Sequence, residues 1–150
     1  MAAADVFMDS AGFLALWDAA DEQHAAAVQI QAELGRKRRR FLTTDYVADE
    51  TVTLLLVRHS HAAAADFLDT LARSEALRLE WVGPDRFHAA AGFFRRHADK
   101  EWSFTDCVSF TLMHELNIRD CFTTDHHFQQ AGFTSLLGNR VRRQGRSGFS

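Results

Sequence analysis

Proline occurs once and cysteine twice, and no apolar run is long. Each scarcity excludes something. Cys107 and Cys121 sit inside apolar segments without the paired spacing of a zinc site or redox motif, so no disulfide framework is implied and both read as reduced core thiols. The longest apolar stretches, Leu54 to Val57 and Ala62 to Ala65, fall far short of a bilayer span. The N-terminus has no basic-then-apolar leader pattern, and the expectation is a cytoplasmic protein with no membrane partner. No internal repeat or low-complexity linker divides the chain. A net charge of -3 argues against a protein that coats nucleic acid through overall charge. Local basic patches remain: Arg36 Lys37 Arg38 Arg39 Arg40 forms one, and Arg140, Arg142, Arg143 and Arg146 form another in a Gly- and Ser-containing tail. Each is open to two readings, a phosphate contact or a solvated end.

What is present fits one globular domain. The 150 residues, 47% hydrophobic and 25% charged, suffice for one buried core and are too few for two. The expected organisation is a single domain over 1–150, with 139–150 as a flexible basic tail. Short apolar runs at Asp5 to Met8, Phe41 to Thr43, Leu77 to Val82, Asp120 to Thr123 and Phe133 to Leu137 read as strands. Helical spacing fills the intervals: Gly12 to Leu34 in one or two pieces, Tyr46 to His59, Ala62 to Arg73, Asp85 to His97 and Asp106 to Leu116. Gly83 and Pro84 punctuate the join between a strand and the next helix. Strands alternating with helices imply an α/β fold, a parallel sheet covered on both faces.

In such sheets the functional crevice lies beyond the carboxyl ends of the strands. Asp9 follows Val6 Phe7 Met8 directly and Asp125 follows Phe122 Thr123 Thr124, so both acids belong to that edge. Asp106, in SFTDCVSF, falls in the first turn of a helix that Ser103 or Thr105 is placed to cap. Glu50, in DYVADETVTLL, shares a helical stripe with Val47, Leu54 and Val57, predicted to face inward. An inward carboxylate needs a cation, and Arg58 on the same helix is the nearby alternative to a metal. Taken singly, Asp9, Asp106 and Asp125 also serve as ordinary caps or turn residues. Four acids converging at one edge would repel one another without a cation between them. Carboxylate oxygens suit Mg2+, with Mn2+ able to substitute, better than zinc. His24, His59, His61, His88, His97 and His114 show no shared metal spacing. His126 and His127 follow Asp125, but neighbouring side chains at a helix start are expected to diverge, and both are left outside the site.

These residues resemble the PIN-domain family, and within it the small VapC-type toxins. VFMDSAGFLALWDAADEQHAAA resembles the opening strand, first acid and following helix, with Asp9 in the acid's slot. DYVADETVTLL resembles the second block with Glu50, SFTDCVSFTLMHELNI the third with Asp106, and CFTTDHHFQQAGF the fourth with Asp125. The resemblance implies a three-layer α/β/α sandwich around a five-stranded parallel sheet in order 3-2-1-4-5. It also implies RNA hydrolysis that uses magnesium or manganese and leaves a 5′-phosphate. The four acids would be the metal-holding and catalytic residues. Family members often form homodimers, and many are neutralised by a cognate antitoxin.

Other magnesium chemistries on acid-edged sheets fit less well. A phosphatase of the haloacid dehalogenase type would have a second Asp two residues after its nucleophile, where this chain has Ala11. A receiver domain wants paired acids at the first strand and an essential Lys, whereas the only lysines are Lys37 and Lys100. From a different class, a catalytically idle PIN module that binds RNA or a protein partner has the same fold. Metal-dependent cleavage separates it from a nuclease.

Overall fold

The computed structural model describes residues 5–138; the Arg140 to Arg146 patch and the predicted tail lie outside them. The elements alternate as β1 (Val6–Met8), α1 (Ser10–Trp17), α2 (His24–Arg36), β2 (Phe41–Thr44), α3 (Asp45–Arg58), α4 (His61–Arg73), β3 (Leu77–Glu80), α5 (Gly83–Arg96), α6 (Phe104–Glu115), β4 (Asp120–Phe122), α7 (His126–Gln130) and β5 (Thr134–Ser135). Every strand pair is parallel, as the alternating pattern predicts, and the sheet order is β3-β2-β1-β4-β5, as the family resemblance implies.

The chain moves outward from β1 to β3, then returns past β1 to β4 and β5. Right-handed crossovers in opposite directions place α1 to α4 on one face and α5 to α7 on the other. The packing follows: α1 lies on α2 and α3, and α3 on α4, while α6 lies on α5 and α7. The reversal falls between β1 and β4, where Met8 pairs with Phe122. That switch point is where α/β sheets open a crevice.

Registered residues of parallel strands share a face, which divides the aromatic core in two. Phe7 meets Phe128 of α7, which stands edge-on to Phe110 of α6 at 4.9 Å. On the other face Phe13 and Trp17 of α1 close on Phe67 of α4. α1 comes so near the sheet that a Cβ on Gly12 would lie 2.2 Å from the Phe122 carbonyl oxygen. Only glycine permits that approach, and it brings the start of α1 beside the end of β4.

Several boundaries differ from the sequence reading. β3 stops at Glu80, and Gly83 and Pro84 are the first residues of α5 rather than a linker before it. Proline is tolerated there because the first-turn N–H needs no intrahelical partner. β5 has two residues, and the short α7 was not anticipated. Cys107 and Cys121 are free and buried, and burial pushes the Cys107 thiol up to about 11 and Cys121 higher still. Among the described residues, no helix is long and apolar enough to cross a membrane.

Candidate metal centre

Asp9 leaves β1 and caps α1, its Oδ1 accepting the Gly12 N–H at 2.9 Å. Its Oδ2 accepts the Thr123 hydroxyl at 2.7 Å. Thr123 follows β4, and its oxygen in turn accepts the Asp125 N–H at 2.9 Å. Asp125 then caps α7 by accepting the His127 N–H at 2.9 Å. One threonine hydroxyl therefore joins the two acids across the switch point.

Asp106 arrives from α6. Ser103 caps this helix, and Asp106 reciprocates by accepting the Ser103 N–H at 3.1 Å, which completes a capping box. The same Asp106 oxygen lies 3.1 Å from Nδ1 of His127. Glu50 comes from α3 and accepts a 2.5 Å hydrogen bond from Ser10, the neighbour of Asp9. With Asp45, Tyr46, Asp49 and Thr105, the sequence neighbour of Asp106, it lines an open groove of about 540 Å³.

The three aspartates form one electrostatic unit. Burial pushes the Asp9 carboxyl up to about 7; hydrogen bonds from Thr123 and Gly12 oppose the shift, and the charges of Asp125 and Asp106 add to it. Asp106 is also raised, first by burial and then by Asp125, with Ser103 and His127 opposing. Burial is the larger cause in both, and the neighbouring acids add to it.

Two sequence expectations about this site need correction. The inward face of α3 is Val47, Ala48, Thr51 and Leu55, whereas Val57 is 78% exposed. Glu50 flanks that face, and Arg58 is exposed, so the partner of Glu50 is Ser10. Nor do His126 and His127 diverge: their rings sit 4.4 Å apart, with His127 turned in against Asp106 and His126 largely in solvent. Sequence reasoning passed over Ser10, Thr123 and His127. All three lie within two residues of a candidate acid, which is the signal that was available.

The basic run 36–40 precedes β2 and lies at the amino ends of the strands, away from the acids. Arg39 pairs with Asp120 at the start of β4 at 2.7 Å, and the Arg40 carbonyl accepts the Val6 N–H.

A family model described as the PIN domain matches residues 6–134. Relatives from two Mycobacterium tuberculosis strains, CDC 1551 / Oshkosh and H37Rv, are both named 23S rRNA-specific endonuclease VapC20. Each is 32% identical over 131 residues, covering 87% of this chain and 97% of the relative. The crystal structure of Mycobacterium tuberculosis VapC20, described as a sarcin-ricin loop cleaving toxin, matches with a TM-score of 0.81 at 31% identity. That match covers 88% of this chain and 98% of the other.

Proposed function

The chain belongs to the PIN-domain family, and from that premise we propose that it is a metal-dependent endoribonuclease of the VapC toxin type, with Asp9, Glu50, Asp106 and Asp125 as its metal-holding acids. The observation that carries this reading is the gathering of Asp9, Asp106 and Asp125 at the carboxyl edge of the sheet, joined through Thr123 and His127, where burial and the neighbouring acids raise Asp9 and Asp106. Their donor set fits a hard divalent cation: carboxylate oxygens already oriented by Gly12, Thr123, Ser103 and Ser10. Such an ion, when bound, supplies charge neutralisation at the phosphate and acidification of an attacking water. Mg2+ is the proposed ion and Mn2+ its substitute.

The residues of this chain do the rest. Thr123 fixes the separation of Asp9 and Asp125, and the capping box fixes Asp106 at the start of α6. Glu50 lines the groove and is held by Ser10, the neighbour of Asp9. A single-stranded RNA segment laid in the groove would present its phosphate to the cluster, with Tyr46 available beside a base. RNA as substrate is in keeping with a cytoplasmic protein. A cognate antitoxin and a homodimer belong to the same family reading, and the exposed Trp81, Phe87 and Phe94 offer apolar surface to a second copy. Light scattering that reads a single-chain mass would remove the dimer.

Asp106→Asn tests the proposal. The amide oxygen still accepts the Ser103 N–H, so stability in chelator should stay within about 1 kcal/mol of the parent, the scale of one cap. Manganese-dependent cleavage of an rRNA fragment carrying the sarcin-ricin loop, or of another RNA the parent cuts, should fall by about 100-fold or more, the scale of losing one preorganised electrostatic contact. Full activity in the variant would sink the assignment.

A further inference from the structure

At the start of α7 two histidines and a carboxylate share a small volume. Successive residues of a helix point about 100° apart, yet the Nδ1 atoms of His126 and His127 lie 3.9 and 3.5 Å from the same oxygen, Oδ1 of Asp125. One ligating atom from each of the three residues lies within 4.8 Å of the other two. His127 is anchored there by its backbone bond to Asp125, and its ring rests against Asp106, a contact that zinc would have to displace. The His126 side chain is 73% exposed and free to turn.

We propose that Asp125, His126 and His127 form a second cation site, selective for a borderline transition ion such as Zn2+ and sharing Asp125 with the acid cluster. Tetrahedral zinc at about 2.0 to 2.2 Å from each donor spans donor separations of roughly 3.3 to 3.6 Å. The His127–Asp125 separation already falls in that range, and a small turn of the exposed His126 ring brings in the third donor. Two imidazole nitrogens with one carboxylate oxygen favour zinc over magnesium, the reverse of the preference of the four acids. Each ring would bind through an unprotonated Nδ1, keeping its proton on Nε2. The adjoining space, about 160 Å³ between Gln23, Thr124, Gln129 and Ser135, leaves the fourth position open.

Zinc held here withdraws Asp125 from the acid cluster and His127 from Asp106. Occupancy therefore opposes Mg2+- or Mn2+-dependent cleavage, a consequence that rests on the nuclease reading above. The binding itself does not.

The test is calorimetric titration of the metal-stripped full chain with zinc and, separately, with manganese. His126→Ala should weaken zinc binding at least about 10-fold and leave manganese affinity and the melting temperature unchanged, since His126 is exposed. Parent-like zinc affinity in that variant overturns the site. In the cleavage arm, zinc near its dissociation constant should suppress manganese-dependent RNA cleavage by the parent and spare the variant; equal suppression of both overturns the shared-ligand effect. A parent that cuts no RNA in manganese counts against the nuclease function, and the titration still decides the zinc site.

Discussion

Asp9 shows how much of a residue's behaviour lies beyond its place in the sequence. Its position at the end of β1 was legible, because an acid directly after a short apolar run in an alternating α/β pattern belongs to the carboxyl edge of the sheet. Its partner was not: Thr123 is 114 positions away and meets Asp9 only once β4 has paired with β1. Burial then sets the chemistry. Asp9 titrates near 3.8 in an unfolded chain and at about 7 in the fold, so between those values the folded protein holds a proton that the unfolded chain has lost. The stability that Asp9 contributes is full below about pH 4 and is lost as pH rises through about 7. In chelator, the parent should therefore lose melting temperature between about pH 4 and pH 8 relative to Asp9→Asn, which cannot ionise. Saturating Mn2+, which favours the ionised carboxylate and binds the parent better than the variant, should remove or reverse that loss. Parallel pH profiles for parent and variant would show that Asp9 is not the group responsible.

Among the elements, the long helices and the short strands β1, β2 and β4 were readable, and the short helix α7 was not. The helices that became α3, α4 and α6 carry enough turns for apolar spacing to show, and their observed ends lie within about two residues of the expected ones, as helix ends generally scatter. α7 has five residues, too few for a period to emerge, and it is the element that Asp125 caps and that carries His127. α3 was found, but its face was misjudged: Val57, counted as part of the inward stripe, is exposed at the helix end. The junction of β1, β4 and α7 hangs on the Thr123 hydroxyl, which donates to Asp9 and accepts from the Asp125 N–H. Thr123→Val keeps the shape and removes both bonds. It should cost on the order of 1 to 3 kcal/mol, the penalty for buried groups left unpaired, and weaken Mn2+ binding because both acids lose their orientation. Thr123→Ser should restore most of each. Chemical denaturation and a manganese titration read the two effects, and a valine variant with parental values in both would show that the acids are held by something else.

For the whole molecule, the distribution of charge matters more than its sum. The acids collect at the carboxyl edge of the sheet, while the run from Arg36 to Arg40 enters β2 at the amino edge. The sequence displays both patches but not their separation, because which edge a segment serves depends on the direction in which its strand runs. β2 has four residues, which at about 3.3 Å each puts roughly 13 Å between the two edges. That exceeds the screening length of about 8 to 10 Å at ordinary ionic strength. Arg39 is in addition engaged with Asp120. RNA bound in the groove should therefore gain little from this run. Replacing the exposed Arg36, Lys37 and Arg40 together by Ala removes three positive charges and should leave both the KM for RNA and its dependence on salt unchanged. If these side chains did grip phosphates, three lost contacts on a single strand would flatten the slope of log affinity against log salt by about 2. Cleavage measured across a salt series, for the parent and the triple variant side by side, distinguishes the two. A slope flattened by that amount would run the RNA across the amino edge of the sheet and leave the groove beside Glu50 as no more than the place where the chain is cut.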